Sequence, residues 1–354
     1  MLRGALRGRL TAEVTALEKI KIRLPAVLLA LVLLFPAQAA AVREVIPIGH
    51  TAGIRMKSEG VLVVRLDEVE SADGKHCPAR EAGLREGDII VSADGQAVAS
   101  NDALQTVLAA ADGGAVALGV LRGSETLSLK ASPCTDRTGA LRLGILARDS
   151  MAGIGTLTFA DPETGVFGSL GHGVCDAETG VLLPLADGKL VRSTVESVTP
   201  GRAGSPGALQ GDFSDAKVIG TVTKNTVRGI FGTLSERSLL SGESAVPVAS
   251  RDEIQTGDAE ILANTSGDEV QRYSVQIVRI YPENDEYGRG MMLRVTDKAL
   301  LAQTGGILQG MSGSPVLQNG KLIGAVTHVL VDDPASGYAI CIEDMLAEAD
   351  SAAA

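Results

Sequence analysis

The stretch that most restricts how this chain can fold is Gly305–His328, GGILQGMSGSPVLQNGKLIGAVTH. Its centre, Gly310-Met311-Ser312-Gly313-Ser314-Pro315, sets a serine between glycines. Glycine tolerates positive φ and lets other backbone come close. Both are needed where a Ser Oγ must project from a tight turn while flanking N–H groups face an oxyanion. Two apolar runs follow, Val316-Leu317 and Leu322–Val326, with Asn319-Gly320 between them. Asn-Gly between apolar runs is a strong hairpin signal. The sequence therefore predicts a serine on a loop that feeds a buried β-hairpin. A plain glycine-rich turn is the competing reading of such a short motif.

GxSGxP followed by an apolar strand resembles the nucleophile loop of chymotrypsin-like serine peptidases. The longer string GGILQGMSGSPVLQNGKLIGAVTHVLVDDPASGYAICIEDML resembles the C-terminal end of the stage IV sporulation protein B peptidases of endospore-forming bacteria. That resemblance implies a membrane-targeting N-terminus, a PDZ domain and a serine peptidase domain.

The composition fits a mainly β protein. Of 354 residues, 45% are hydrophobic, 42 are glycine and only 3% are aromatic, which implies an aliphatic core and many turns. The length suits two domains behind a targeting segment. A net charge of −11 argues against nucleic acid as a partner, since phosphate recognition needs a basic surface. Four cysteines are too few for a disulfide scaffold. No CxxC or HExxH spacing occurs, so neither a metal nor an organic cofactor is signalled.

Residues 1–43 read as a targeting segment. Arg9, Lys19, Lys21 and Arg23 precede the uncharged Leu24–Phe35, and Pro36–Ala41 follows with small residues. This is the pattern of a secretory signal. The apolar stretch just reaches the roughly 20 residues of a spanning helix, so a signal or anchor and an extracytoplasmic location are expected.

Residues 44–131 read as one PDZ-like domain. Gly60–Val64 reads as a buried strand, Asp94-Gly95 as a hairpin turn, and Asn101–Ala111 as a helix with Leu104, Val107 and Leu108 on one face. Asn101 is a suitable N-cap. Ala79-Arg80-Glu81-Ala82-Gly83-Leu84-Arg85-Glu86-Gly87-Asp88-Ile89-Ile90 resembles the PDZ domains of bacterial proteases. Such domains add an extended peptide to a sheet edge. The resemblance implies that Gly49 and Gly53 shape a carboxylate-binding loop and that Ile54 lines the groove. A domain that only packs is the competing reading.

After a polar linker near 131–140, residues 141–354 hold many short strands separated by turns such as Asp161-Pro162 and Asp187-Gly188. This suggests a barrel or sandwich, and the resemblance implies a chymotrypsin-like pair of β-barrels. Of four histidines, His172 lies in Gly171-His172-Gly173 after an apolar run, with its ring placed as a general base requires. It matches the G-H-G motif of the sporulation family. His328 reads as structural. Asp176, Asp212, Asp215, Asp297, Asp332 and Asp333 are candidates for the carboxylate that orients the imidazole. The resemblance points to Asp297, which gives the chain order His, Asp, Ser. A helix N-cap at Asp297 is a serious competitor. The oxyanion hole would use the N–H groups of Gly310 and Ser312. Cys175 is set aside as a nucleophile because it leaves Ser312 unexplained. Pro200–Gly207 reads as a surface loop that could also line a cleft, and Cys77 with Cys134 could form a bridge.

The reading is a secreted or membrane-tethered serine endopeptidase with His172, Asp297 and Ser312 as triad. By resemblance its substrates are its own N-terminal region and a membrane-anchored regulator, cleaved between the two membranes of a developing spore to trigger a late sigma factor. The alternative is a PDZ scaffold whose peptidase-like domain only binds.

Overall fold

A computed structural model describes residues 43–213, 216–282 and 289–353. The expected targeting segment falls outside them. Among the described residues, no helix is long and apolar enough to cross a membrane.

Residues 44–354 form one compact unit containing two six-stranded barrels. In the first barrel, Thr51–Leu66 pairs with Ile145–Ala160, and the ring continues through Val166–Ser169, Gly229–Leu234 and Val218–Thr226. Leu185–Arg192 then closes it back onto Thr51–Leu66. Inward residues such as Met56, Leu157, Phe167, Leu190, Ile219 and Ile230 fill it, all nearly inaccessible to water. The second barrel closes as Gly257–Asn264, Val270–Ile280, Met291–Val295, Ser336–Cys341, Lys321–Val329 and Pro315–Gln318. Ile261, Val275, Leu293, Val316 and Val326 fill this one. Period-two burial in Val270–Ile280, with Tyr273, Val275 and Ile277 inward, is what a strand with one wet face requires.

The barrels meet over a third apolar cluster. Phe159 and Phe231 of the first pack with Leu317, Leu322 and Ile340 of the second. Met345 and Leu346 of the C-terminal helix Ile342–Ala353 complete it. At Asn319-Gly320, φ values of 53° and 77° make the expected two-residue hairpin, with Gln318 opposite Lys321.

The PDZ-like part is an insertion into the first barrel. The far half of Thr51–Leu66 pairs with Ile89–Ala93, which carries Val116–Arg122 and Glu125–Ala131. Helix Asn101–Ala110 covers that sheet, burying Leu104, Val107 and Leu108 as its periodicity predicts. Its N-cap is Ser100, whose Oγ accepts from the Ala103 N–H at 3.1 Å, one residue before the expected Asn101. The chain re-enters the barrel through Ile145–Ala160. The expected boundaries of 44–131 and 141–354 therefore shift. Glu44–Pro47 and the first half of Thr51–Leu66 belong to the barrel, because their partners are barrel strands.

Candidate active site

His172 and Ser312 sit on loops from different barrels and line one cleft of about 1270 Å³. His172 follows strand Val166–Ser169. The turn that presents it holds Leu170 and Gly171 at φ 70° each. Positive φ is strained for leucine, and such strain persists only where surrounding structure fixes it. Here Gly155 leaves the room: a Cβ on it would lie 2.1 Å from Leu170 Cδ2. Ser312 precedes strand Pro315–Gln318, between Gly310 at φ 97° and Gly313 at φ 98°. A Cβ on Gly313 would fall 2.0 Å from the Thr156 carbonyl oxygen and 2.6 Å from Leu170 N.

Thr156 ties the two loops together. Its N–H donates to the Ser312 carbonyl at 2.9 Å and its hydroxyl to the Gly310 carbonyl at 2.8 Å. Its own carbonyl accepts from Ser169 Oγ at 2.6 Å and more distantly from the Leu170 N–H at 3.3 Å. With the Gly310 and Ser312 carbonyls held this way, the N–H groups of Gly310 and Ser312 carry no partner among the described residues. Both residues line the cleft. Free N–H donors in a cleft are the groups that can receive an oxyanion.

His172 Nδ1 lies 2.9 Å from the Gly173 carbonyl. A carbonyl can only accept, so in the neutral ring Nδ1 carries the proton and Nε2 is bare, as a general base needs. Burial pushes the His172 pKa below the usual imidazole value, and the bond to Gly173 partly opposes this. The ring of His328 stands beside it, centroids 4.9 Å apart and tilted by 37°. Ser312 Oγ donates to the Thr327 carbonyl at 2.7 Å. Ser314 Oγ is sealed from solvent and has no partner among the described residues, so it cannot meet a substrate.

Asp297 is not at this ring. Its Oδ1 accepts from the N–H groups of Ala299 and Leu300 at 2.9 Å each, and its Oδ2 weakly from the Ser274 N–H at 3.5 Å. It is the N-cap of helix Lys298–Thr304, the competing reading of its position. The other carboxylates are placed as follows. Asp176 is buried under Arg148 and caps its own turn through the N–H groups of Glu178 and Thr179. Asp333 accepts from Ser336 Oγ, Asp332 is exposed, and Asp212 ends strand Ala208–Asp212. Asp215 lies outside the described residues.

Asn225 is a site residue the sequence reading missed. Its Oδ1 accepts from the Val174 N–H at 2.8 Å, and its Nδ2 donates to the carbonyls of Val174 and Leu183 at 2.9 Å each. Three bonds from one side chain fix the loop that carries His172. Nothing in the sequence around Asn225 marks it, because its partners are 51 and 42 residues away. Pro200–Gly207 braces the nucleophile segment: Gly201 N–H donates to the Thr304 carbonyl and the Gly207 carbonyl accepts from Gln309 N–H. Pro206 lines the cleft.

All four cysteines are free. Burial by surrounding protein holds the Cys175 thiol above its usual pKa although its surface opens to the cleft. Among the described residues, no group of three or more His, Cys, Asp or Glu is arranged to hold a metal.

Gly49, Gly53 and Ile54 do not line a groove of the inserted domain. Gly49, at φ 77°, packs against Leu262 and Val270 of the second barrel. Gly53 is pressed between Val191 and Phe213, and Ile54 lines the catalytic cleft. Gly53 and Ile54 are barrel strand and Gly49 lies in the loop leading into it, so their neighbours are barrel residues and not a PDZ helix. A groove of about 650 Å³ instead lies between helix Asn101–Ala110 and the entry to Ile145–Ala160. Leu104, Gln105 and Leu108 line one side, and Leu143, Gly144, Ile145 and Ala147 the other. The findable signal was Leu143-Gly144-Ile145 after a polar turn, with Gly144 at φ 76°.

Two closed barrels with a histidine from one and a serine from the other in the cleft between them define a chymotrypsin-like serine peptidase. Residues 139–346 match the SpoIVB peptidase S55 family, and residues 72–122 match the PDZ domain. The chain belongs to the SpoIVB peptidase S55 family and is a serine endopeptidase. No curated protein sequence matches it. Solved structures show faint likenesses. The Rv3671c protease of M. tuberculosis in its active form is 17% identical, covering 56% of this chain and 74% of that one, with a TM-score of 0.33. Its inactive form gives 17%, 57%, 85% and 0.34. The HtrA-type protease AlgW with decapeptide is 14% identical, covering 58% and 53%, with a TM-score of 0.35.

Proposed function

We propose that this peptidase is held at the outer face of a membrane and cleaves its own N-terminal region and a membrane-anchored regulatory protein. Following the family, its place is the space between the two membranes of a developing spore, where cleavage triggers a late sigma factor. The apolar Leu24–Phe35 behind basic residues supports the membrane location. The observation that carries the chemistry is the meeting of His172 and Ser312 in one cleft beside two unpartnered N–H groups.

In the reaction, Ser312 Oγ leaves the Thr327 carbonyl and turns towards His172 Nε2. His172 takes the hydroxyl proton as Oγ attacks the scissile carbonyl. The Gly310 and Ser312 N–H groups receive the oxyanion. The imidazolium then returns its proton to the leaving amine, and water hydrolyses the acyl-enzyme with His172 again as base.

The test is self-processing of the full chain in membranes. Wild-type protein should lose its N-terminal region, and Ser312→Ala should accumulate uncut. Equal processing of both would assign the cut to another protease and remove the self-cleavage reading.

A further inference from the structure

The groove in the insertion and the catalytic cleft are lined by the same strand, Ile145–Ala160. Ile145 and Ala147 line the groove; Arg148, Ser150, Met151, Ala152, Gly153 and Ile154 line the cleft. Among the described residues this strand is paired on one edge alone until Leu157, where Ser169 takes up the other. None of the ten residues from Ile145 to Ile154 is buried, whereas Gly155–Ala160 all are. A Cβ on Gly153 would meet nothing within 4 Å. At the far end, the Thr156 N–H holds the Ser312 carbonyl.

An open strand edge offers alternating N–H and C=O groups and is normally blocked by proline, lysine or a covering element. The segment ILARDSMAGI has neither proline nor lysine. Its arginine is turned aside onto Asp176 and Glu178. Two helix side chains occupy carbonyls at the groove end: Gln105 Nε2 donates to Leu141 O at 2.9 Å and Asn101 Nδ2 to Ala147 O at 3.4 Å. The second bond is long and easily exchanged for a peptide N–H.

We propose that substrate docks as an added antiparallel strand along Ile145–Gly155, with its C-terminal carboxylate at the Leu143-Gly144 turn beside Arg142 and its scissile bond at Ser312. This rests on the peptidase reading and adds a length rule. The ligand is an extended polypeptide tail, because an edge of main-chain groups selects backbone first and side chains second. A chain ending at Gly144 runs antiparallel towards Thr156. At about 3.3 Å per residue it covers roughly 35 Å, or about eleven residues, to the nucleophile. A free C-terminus about eleven residues after the cut is therefore the preferred geometry.

The test uses peptides of identical sequence around the cut that end about 4, 8, 11 or 16 residues beyond it. Active-site labelling by a fluorophosphonate is measured in parallel, since it needs no tail; loss of labelling counts against the peptidase reading and not against the track. The proposal expects kcat/KM to peak near the eleven-residue tail, at least about 10-fold above the shortest, and to fall on C-terminal amidation. Rates independent of tail length would overturn it. Hydrogen exchange of Ser312→Ala with the eleven-residue-tail peptide gives an answer without turnover. Slowing should run unbroken from residue 145 to residue 154. Slowing confined to residues 145–147, or none, would overturn the continuous track.

Discussion

At the scale of single residues, the site separates one accessible serine from its sealed neighbour. Ser312 lines the cleft, whereas Ser314 is buried. Ser314→Ala should change turnover less than about 3-fold, because the removed hydroxyl bonds to nothing. A loss of several hundred-fold with a normal melting temperature would mean that Ser314 reaches the substrate. His172 predicts the acid limb of the pH profile. Burial disfavours the imidazolium, so its pKa lies below the ordinary value of about 6.5. The neutral base then survives to lower pH, and kcat/KM should fall only as pH drops through that lowered pKa. An acid limb centred above about 6.5 would show that a carboxylate supports the cation after all. At Asp297 the cap makes its own prediction. Asp297→Ala should cost about 1 kcal/mol of stability, and Asp297→Asn, which also caps, almost nothing. If Asp297→Asn lost turnover at unchanged melting temperature, the working enzyme would bring that carboxylate to the ring.

These residues also show what was legible in the chain. Ser312 and His172 stand out because their glycine neighbours are local: a nucleophile turn and a base turn each need positive φ within one or two positions. Asn225 and Thr156 act on loops far away in sequence, and a single Asn or Thr in a strand carries no mark of that. Asp297 has a motif that fits two roles, and local spacing cannot choose between a cap and a triad carboxylate.

At the scale of elements, the two catalytic loops touch through backbone, so the contact depends on missing side chains. Gly313→Ala would drive a methyl into the Thr156 carbonyl and also strain a φ of 98°. It should cost about 3 kcal/mol or more and separate the nucleophile from its base, visible as a lowered melting temperature with slowed labelling. A variant of unchanged stability would show that the loops are not held through Thr156. The Asn319-Gly320 hairpin and helix Asn101–Ala110 were readable from their turn and period. The 16-residue strands Thr51–Leu66 and Ile145–Ala160 were not. Each runs through one continuous sheet from the barrel into the inserted domain, and nothing in its alternation says where the barrel ends and the insertion begins.

At the scale of the whole molecule, the insertion explains why Gly49–Ile54 resembles a groove loop in sequence and lies in the barrel in the fold. The segment around Gly49–Ile54 has the glycines and aliphatics of a groove loop, but its partners are Ile154, Val191 and the second barrel. Only long-range pairing decides that. The same topology makes the inserted domain and the first barrel share strands, so they should unfold together. One calorimetric transition is expected for the pair, and a separately melting PDZ-like unit would argue against the shared strands. Catalysis as proposed depends on Ser312 being a nucleophile activated by His172 across the two barrels. The direct measurement is fluorophosphonate labelling followed by peptide mass mapping. The adduct should sit on Ser312, vanish in Ser312→Ala and form at least about 10³-fold more slowly in a folded His172→Ala. An adduct on another residue, or labelling indifferent to the loss of His172, would contradict it.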